Sequence, residues 1–402
     1  MLTVLKVRVY PNQEQQIALA KNFGCCRFVW NYYLNKTNAL YEEKGKGLSY
    51  CDMAKDLTQL KKIEEYFWLK EATASTLQQS LKNLEAAFKN FFQHRARFPN
   101  FKSKQGKQSV RYPESCSIKG KGLRLPKLGL VKAKISKSIN GKIKSVTVTK
   151  TSTDKYYASI LFEDNDLAQS KEGKISGIDL GLNNLVTVYD GESFYKVDPI
   201  KPTRNYSKRL KRRQQALSRK VKGSNNRKKQ RTIVAKVHET IANTRQDFLH
   251  KLSRKLVNEN QVIVVEDLCV KGLARTNLAK SILDAGLGLL VNFISYKLDR
   301  EGGKLIKVDR FFPTTKLCNQ CKFKNNLLNL SIRDWLCPQC EAHHHRDENA
   351  SVNIREQGIR ILSTNTVGHT EIQACGEDVR LASTCVREQS SVKQESPVTA
   401  QA

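Results

Sequence analysis

The amino-acid sequence predicts a multidomain α+β protein, in which a small β-barrel with an inserted helical bundle is followed by an α/β domain that carries a four-cysteine zinc finger. Three observations lead to this fold class. Strand-like segments flank a helical region in the N-terminal half, the apolar run 261–267 (QVIVVED) has the character of a buried central strand, and two Cys-x2-Cys pairs follow it. The 402 residues, 39% of them hydrophobic, can fill more than one core.

Residues 2–10 are predicted to form the first strand, because apolar residues alternate with cations until Pro11 stops the pattern. Asn12 can cap the helical region that follows. An apolar stripe at helical spacing lies near the far end of this region and indicates the core of a helix bundle over residues 11–109. The stripe consists of Leu77, Leu81, Leu84, Phe88 and Phe91.

Residues 118–163 are rich in β-branched and aromatic residues with Lys between them, a composition typical of strands. We expect the first strand to join this group, so that residues 1–10 and 110–170 build a barrel around the inserted helices. From residue 175 the pattern becomes α/β, beginning with a predicted hairpin around Gly181.

The run 261–267 ends in two acids, and functional groups in open α/β sheets collect at the carboxyl ends of such strands. We expect this second domain to span 171–312 and 341–362, with the zinc finger inserted at 313–340. The polar residues 363–402 predict a disordered tail.

The charge balance predicts a polyanionic partner. Lys and Arg total 70 against 38 Asp and Glu, and the net charge of +32 would repel itself in a compact chain without such a partner. Nucleic acid is the favoured partner, and a membrane surface is the alternative. The N-terminus has no apolar signal core, and no run approaches the roughly 20 apolar residues of a membrane span. We therefore expect a cytoplasmic, nucleoid-associated protein with reduced cysteines and no membrane partner.

Residues 204–231 hold thirteen Lys or Arg and no acid, and are predicted to be helical with an interruption near Gly223. Such a charge run is often only a solvated face. Here the repulsion between neighbouring cations would oppose helix formation, and a phosphate backbone would remove that cost. We favour nucleic-acid contact through Arg204, Lys208, Arg209, Lys211, Arg212, Arg213, Arg219 and Lys220.

The cysteine spacing is the strongest local signal. Cys318 and Cys321 form one Cys-x2-Cys pair, and Cys337 and Cys340 form a second pair fifteen residues further on. Two such pairs complete a tetrahedral zinc shell with no open position, so the predicted ion is structural; four unligated thiols are the alternative. His343, His344 and His345 follow closely, and because the shell is already full we expect polar or nucleic-acid contacts for them.

Three acids have the placement of a metal site. Asp179 and Glu266 end apolar strands, and Asp347 is predicted to begin a helix. Strand alternation separates Glu266 from Asp267, so only one of these two can face the site. Each acid alone has a structural explanation, such as a turn role for an Asp beside Gly. Together they would form an oxygen-rich site suited to Mg²⁺ or Mn²⁺ and to two-metal phosphodiester hydrolysis.

Several motifs taken together resemble those of TnpB, the OrfB-type protein of bacterial insertion sequences, over nearly the whole chain. They are GIDLGLNNLVTV, VVEDL, FFPTTKLCNQC, WLCPQC and RDENAS. The resemblance implies a wedge-like barrel and a RuvC-like, RNase H-type nuclease domain. It also implies that Asp179, Glu266 and Asp347 are the catalytic acids and that the four cysteines bind zinc.

TnpB proteins are similar to compact CRISPR effectors. The resemblance therefore implies a guide RNA derived from the transposon end and cleavage of double-stranded target DNA next to a short target-adjacent motif. We expect a monomer. The alternatives are a nuclease-inactive, RNA-guided DNA-binding regulator and a DNA transposase; the order Asp, Glu, Asp disfavours the second. Two departures from the family pattern are the histidine run after Cys340 and Leu287, which stands where the family often has Trp.

Overall fold

The computed structural model describes residues 2–137, 139–164, 173–329 and 331–367. The predicted first strand joins the later strands in one antiparallel sheet with the order β2-β6-β7-β1-β5-β4-β3. In the described residues β2 and β3 form its two edges, so the small barrel that the sequence predicted is an open half-barrel. The strands are β1 (Leu2–Tyr10), β2 (Gln108–Tyr112), β3 (Ser117–Lys119), β4 (Gly122–Leu125), β5 (Gly129–Lys134), β6 (Ile143–Lys150) and β7 (Tyr156–Glu163).

Three helices lie between β1 and β2 in the chain. Asn12 caps the first of them with a reciprocal side-chain and backbone pair to Gln15, as the sequence predicted. The predicted stripe buries Leu77, Leu81 and Leu84 in a core that the helices share with the sheet. The helices are α1 (Gln13–Lys44), α2 (Tyr50–Leu60) and α3 (Ala74–Phe92), with a 3-10 helix at Glu64–Glu71.

A second sheet has the order β10-β9-β8-β11-β12. The predicted hairpin around Gly181 pairs β8 with β9, and β11 runs parallel to both β8 and β12. The carboxyl ends of three strands therefore meet at one edge. The strands are β8 (Lys174–Leu180), β9 (Val186–Tyr189), β10 (Phe194–Val197), β11 (Asn260–Glu266) and β12 (Lys304–Val308).

Helices cover both faces of this sheet. On one face, Ile263 and Val265 pack in a core with leucines of the longest helix and of the helix before β12. The helices on this side and in the connections are α4 (Pro202–Asn205), α5 (Ser207–Ser218), α6 (Asn225–Glu259), α7 (Val270–Leu273), α8 (Ala279–Ala285) and α9 (Leu287–Arg300).

The other face is covered by α10 (Arg346–Val367), whose Ile354 packs with Val262 and Val264. Gly177 permits this contact, because a Cβ there would collide with the backbone of Ser351 and Arg355. Residues 363–367, which we predicted to begin the tail, continue α10; the rest of the predicted tail lies outside the described residues.

One stretch, Ala279–Arg300, is long and apolar enough to cross a membrane by length and composition, with a mean hydropathy of 1.2, although we expected no such stretch. In the fold it consists of α8 and α9, separated at Gly286 with φ +73°. Leu287, Leu290 and Ile294 of α9 are fully or almost fully buried in the core. The apolar residues of this stretch therefore pack in the protein core.

Candidate active site

Asp179 and Glu266 lie side by side at the carboxyl edge of the second sheet. Ile178 of β8 pairs with Val265 of β11, so the next residues along these parallel strands are the two acids. Both side chains follow the strand alternation toward the face that α10 covers, which is the face of Val264. Asp267 is one residue further and points away from that face, as we expected.

Asp347 reaches the same edge from the first turn of α10. Arg355 Nε donates to the carbonyl oxygen of Ile175 at 2.8 Å, which fixes α10 across β8. Ser351, one turn earlier in α10, lies against Gly177, so α10 runs antiparallel to β8. The first turn of the helix therefore lies near Asp179 at the carboxyl end of β8, and the helix dipole adds positive potential there.

The pKa of Asp179 depends on its burial and on the charges of the other two acids. Its pKa is raised to about 7, first by burial and then by the negative charges of Asp347 and Glu266. Burial also raises the pKa of Glu266, with the charge of Asp267 adding to it. Buried carboxylates that repel one another are destabilised unless a cation joins them, so the donor set fits a divalent metal ion.

The three acids nevertheless form a looser group than the cysteines. Within the described residues, the cysteines are the set whose metal-ligand atoms all lie within 4.8 Å of one another. Arg333 Nη1 donates to Asp347 Oδ1 at 2.8 Å, and the Arg346 amide donates to the Arg333 carbonyl at 2.7 Å. Sequence reasoning missed Arg333, since no spacing marks a residue between the two cysteine pairs as a partner of a distant acid.

The four predicted zinc ligands come together. Cys318 Sγ and Cys340 Sγ are 3.7 Å apart, and Cys321 Sγ and Cys337 Sγ are 3.5 Å apart. Thiolates on one tetrahedral zinc, with bonds of roughly 2.3 Å, lie roughly 3.8 Å apart. The cluster is therefore compatible with a structural zinc ion.

The histidine run does not lie where we expected it. Residues His343–His345 form β14, which pairs with β13 (Asp334–Leu336), so the module that carries the four cysteines extends past residue 340. We call residues 313–345 the zinc module, after the ion that the sequence predicts for it. His344 is buried against Trp335, and its Nε2 lies 3.1 Å from Cys318 Sγ. His344 therefore makes one of the polar contacts we expected, and its partner is a thiol of the cysteine cluster.

Two buried asparagines of α10 hold the zinc module against the helix that carries Asp347. Asn349 accepts from the Asn319 amide at 2.9 Å and donates to the Leu317 carbonyl at 2.8 Å. Asn353 Nδ2 donates to the carbonyl oxygens of Thr314 and Leu317 at 2.9 and 2.7 Å. We call these two residues the asparagine latch; it ties the position of the cysteine cluster to the start of α10.

The predicted basic segment forms α5 and the start of α6. Gln230 of α6 donates to the Arg213 carbonyl of α5. Arg227 of α6 donates to the carbonyl of Leu217 and to that of Lys220, just after α5, so side chains of α6 hold the two helices together. Of the eight predicted contact residues, Arg213 is half-buried and the other seven are exposed. Within the described residues none of the eight forms an ion pair with an acid, so their charges are available to a polyanion.

The half-barrel presents a second basic surface, which sequence reasoning missed. Arg8 of β1 lies opposite Lys134 on one neighbouring strand and Tyr157 on the other, and its guanidinium stacks over the Tyr157 ring at 5.0 Å. Tyr10, half exposed, lies opposite Lys132. Cations beside aromatic rings suit the phosphates and bases of nucleic acids. The cations of strand 2–10 were visible in the sequence. Their place beside cations and aromatic rings of the neighbouring strands depends on the sheet order, which the sequence did not reveal.

Three family models match parts of the chain. Residues 151–277 match a family described as "Probable transposase" (OrfB, IS605 type), residues 288–354 match the "Cas12f1-like, TNB domain", and residues 1–46 match the helix-turn-helix domain of the same OrfB group.

Two relatives cover almost the whole chain. A Streptomyces pristinaespiralis protein named "Putative RNA-guided DNA endonuclease" is 38% identical over 97% of this chain and 95% of its own length. A protein of Escherichia coli (strain K12) named "Putative RNA-guided DNA endonuclease InsQ" is 33% identical over 94% of this chain and 95% of its own length.

Among solved structures, the Cas12f1 chain in a Cas12f1-sgRNA-target DNA complex superposes with a TM-score of 0.53 at 15% identity, covering 88% of this chain and 98% of that chain. At 15% identity, this similarity is evidence of a shared fold and not of a shared activity. It supports a mixed α/β architecture with a half-barrel sheet and a cysteine cluster.

Proposed function

This chain belongs to the TnpB family, the OrfB proteins of IS605-type insertion sequences, and from that premise we propose that it is an RNA-guided DNA endonuclease of a transposable element. Its partners are a guide RNA derived from the transposon end and a double-stranded DNA target next to a short target-adjacent motif. It acts as a monomer in the cytoplasm, associated with the nucleoid.

The observation that carries this proposal is the convergence of Asp179, Glu266 and Asp347 at one sheet edge. We propose that these three acids are catalytic and bind Mg²⁺ or Mn²⁺. When bound, a pair of such ions would activate the attacking water and stabilise the leaving oxygen of the phosphodiester.

The residues of the chain contribute orientation and charge. Neighbouring parallel strands hold Asp179 and Glu266 rigidly, while Asp347 sits on a helix that the asparagine latch fixes to the zinc module. Arg333 keeps the Asp347 carboxylate in place through their ion pair. A structural Zn²⁺ on the four cysteines maintains that module.

The two basic surfaces support the nucleic-acid partners. On α5, the exposed cations have no acidic partner among the described residues. On the half-barrel, cations lie beside aromatic rings. In such a complex, base pairing with the guide reads the target, and the protein contacts mainly backbone and shape.

The experiment that tests the proposal is expression of the chain together with its flanking DNA. We expect a discrete RNA to co-purify, and a matching target to be cut in the presence of Mg²⁺. If a discrete RNA co-purifies and Asp179→Ala behaves as the unaltered protein does on DNA, the chain is a guided DNA-binding regulator and the nuclease assignment is wrong. If target cutting needs no RNA, the guided assignment is wrong.

A further inference from the structure

A cleft borders Glu266 on the side of the sheet that faces away from α10. It lies between the carboxyl end of β11 and the first two turns of α9, and its volume is about 220 Å³. Sites for drug-sized ligands measure roughly 300–1,000 Å³, so the cleft has room for about one ring system. Glu266 lines the cleft and also belongs to the acid site, so the cleft and the three acids share the carboxyl edge of the sheet.

The lining selects an uncharged group. Leu180, Leu287 and Val291 supply apolar walls. Glu266 and Asp267 border the same space, and the one cation of the lining, Lys307, lies 3.7 Å from Asp267. Asp267 also pairs with Arg310 at 2.8 Å, so the cleft offers a phosphate no free cation, and the Glu266 carboxylate repels it. The apolar walls stabilise a flat base or a sugar instead.

A polar group at the cleft can distinguish one base from another. Asn292 lines the cleft on the exposed side of α9, and its amide offers two donors and one acceptor oxygen. Amides of this kind bind the edges of nucleobases through paired hydrogen bonds.

We propose that this cleft is a nucleoside subsite, which receives the base or sugar next to the scissile phosphate and thereby positions that phosphate at the three acids. The proposal rests on the proposed nuclease function and deepens it: the cleft makes the cut sensitive to one nucleotide of the cleaved strand. Fixing the neighbouring nucleoside restricts the reacting group to a productive geometry, which raises the cleavage rate more than it raises the affinity.

Gly288 gives a direct way to fill the cleft. It lies in the first turn of α9 and lines the cleft, and a Cβ added there would meet Val270 methyl groups at 3.7 Å, an ordinary contact. Gly288→Ala therefore fits and leaves the cleft open, whereas Gly288→Leu occupies it. Both residues favour a helix over Gly, so the pair is matched for folding.

The test uses the full chain with its co-purified RNA and a series of matching targets, each with one abasic site near the cut. For the unaltered protein and Gly288→Ala we expect one abasic position to slow cleavage about tenfold, in line with the loss of one stacked or bound base. For Gly288→Leu we expect intact DNA to be cut about tenfold more slowly, with no further loss at that abasic position and unchanged DNA binding.

A second variant keeps the proposal testable if Gly288→Leu does not fold. Asn292→Ala, at an exposed position, should change the order of preference among the four bases at the same nucleotide by several-fold. The proposal is overturned if the unaltered protein cuts every abasic target equally, or if Gly288→Leu retains both the rate and the abasic penalty of Gly288→Ala. Failure of the nuclease function itself is separate, since then the unaltered protein would cut no target at all.

Discussion

Arg333, between the two cysteine pairs, donates to Asp347 on α10 over 2.8 Å, so a side chain of the zinc module contacts one of the three converging acids. The Asp347 side chain is only 13% exposed, and the neighbouring backbone bond from Arg346 to the Arg333 carbonyl holds the two segments together. The zinc module and the acid site are thus joined at the level of individual side chains.

Replacing Arg333 tests what that contact does. We expect Arg333→Ala to lower the cleavage rate about tenfold or more, because Asp347 loses its orientation, as expected for removal of one group that positions charge in an active site. Unfolding free energy should fall by less than about 1 kcal/mol, since the Arg333 side chain is 42% exposed.

The matched control is Lys322→Ala, which removes a different ion pair between the zinc module and α10, the one with Glu356. Its cleavage rate should stay within about twofold of the unaltered protein. Equal losses in both variants, measured as rate at saturating target, would mean that Arg333 acts only by holding the module in place.

The raised pKa of Asp179 predicts a pH-dependent stability of the metal-free protein. Its pKa of about 7 in the fold lies above its ordinary value of about 3.9, so the folded state binds more protons than the unfolded state between these limits. Stability contributed by the protonated form is therefore complete below about pH 4 and is lost as the pH rises toward 7.

Asp179→Asn removes this titration. In thermal unfolding without divalent ions, we expect the variant to exceed the unaltered protein in melting temperature at pH 8 and to match it more closely at pH 5. Added Mg²⁺ should raise the melting temperature of the unaltered protein and should do so less for the variant. A difference independent of pH would contradict the burial and repulsion that we assign to Asp179.

The asparagine latch predicts that the zinc module and α10 lose stability together. Asn349→Ala leaves the Asn319 amide and the Leu317 carbonyl without this partner, at a cost of about 1–3 kcal/mol. We expect faster zinc release to a chelator as well as a lower melting temperature. Ser363→Ala, on the exposed part of the same helix, should change neither.

Zinc itself is tested by metal analysis. We expect about one zinc ion per chain, and loss of most of it in Cys337→Ser together with a large loss of cleavage. Zinc-free protein that keeps its melting temperature would rule out a structural ion on the four cysteines.

The basic segment predicts a change in salt dependence. Replacing Lys208, Lys211 and Arg212 of α5 with Gln should weaken binding of the guide RNA and reduce the steepness with which affinity falls as salt rises, by up to about one unit of slope per lost phosphate contact. Binding measured at several salt concentrations checks this. An unchanged slope would place α5 outside the RNA interface.

The elements that position the acids could be predicted from sequence, because they depend on local pattern. Two apolar strands, one ending in Glu266 and one containing Asp179, define two strand ends, and the polar segment after the second cysteine pair places Asp347 at the start of a helix. The four-cysteine cluster follows from spacing alone for the same reason.

The residues that connect these elements could not be predicted. Arg333, His344 and Asn353 are polar residues whose partners are distant in sequence, and only the docking of the zinc module on α10 brings them together. The cleft beside Glu266 likewise depends on how α9 packs against the strand ends. Sequence composition also misplaced the start of the tail, since residues 363–367, mostly polar, continue α10.

The most direct test of the central claim compares two adjacent acids. Glu266 faces Asp179 and α10, whereas Asp267 points away and is paired with Arg310. In guided cleavage of a matching target with Mg²⁺, we predict that Glu266→Gln loses activity by at least about a thousandfold while Asp267→Asn stays within about tenfold of the unaltered protein. Residual cleavage by Glu266→Gln equal to that of Asp267→Asn would contradict a catalytic site built from Asp179, Glu266 and Asp347.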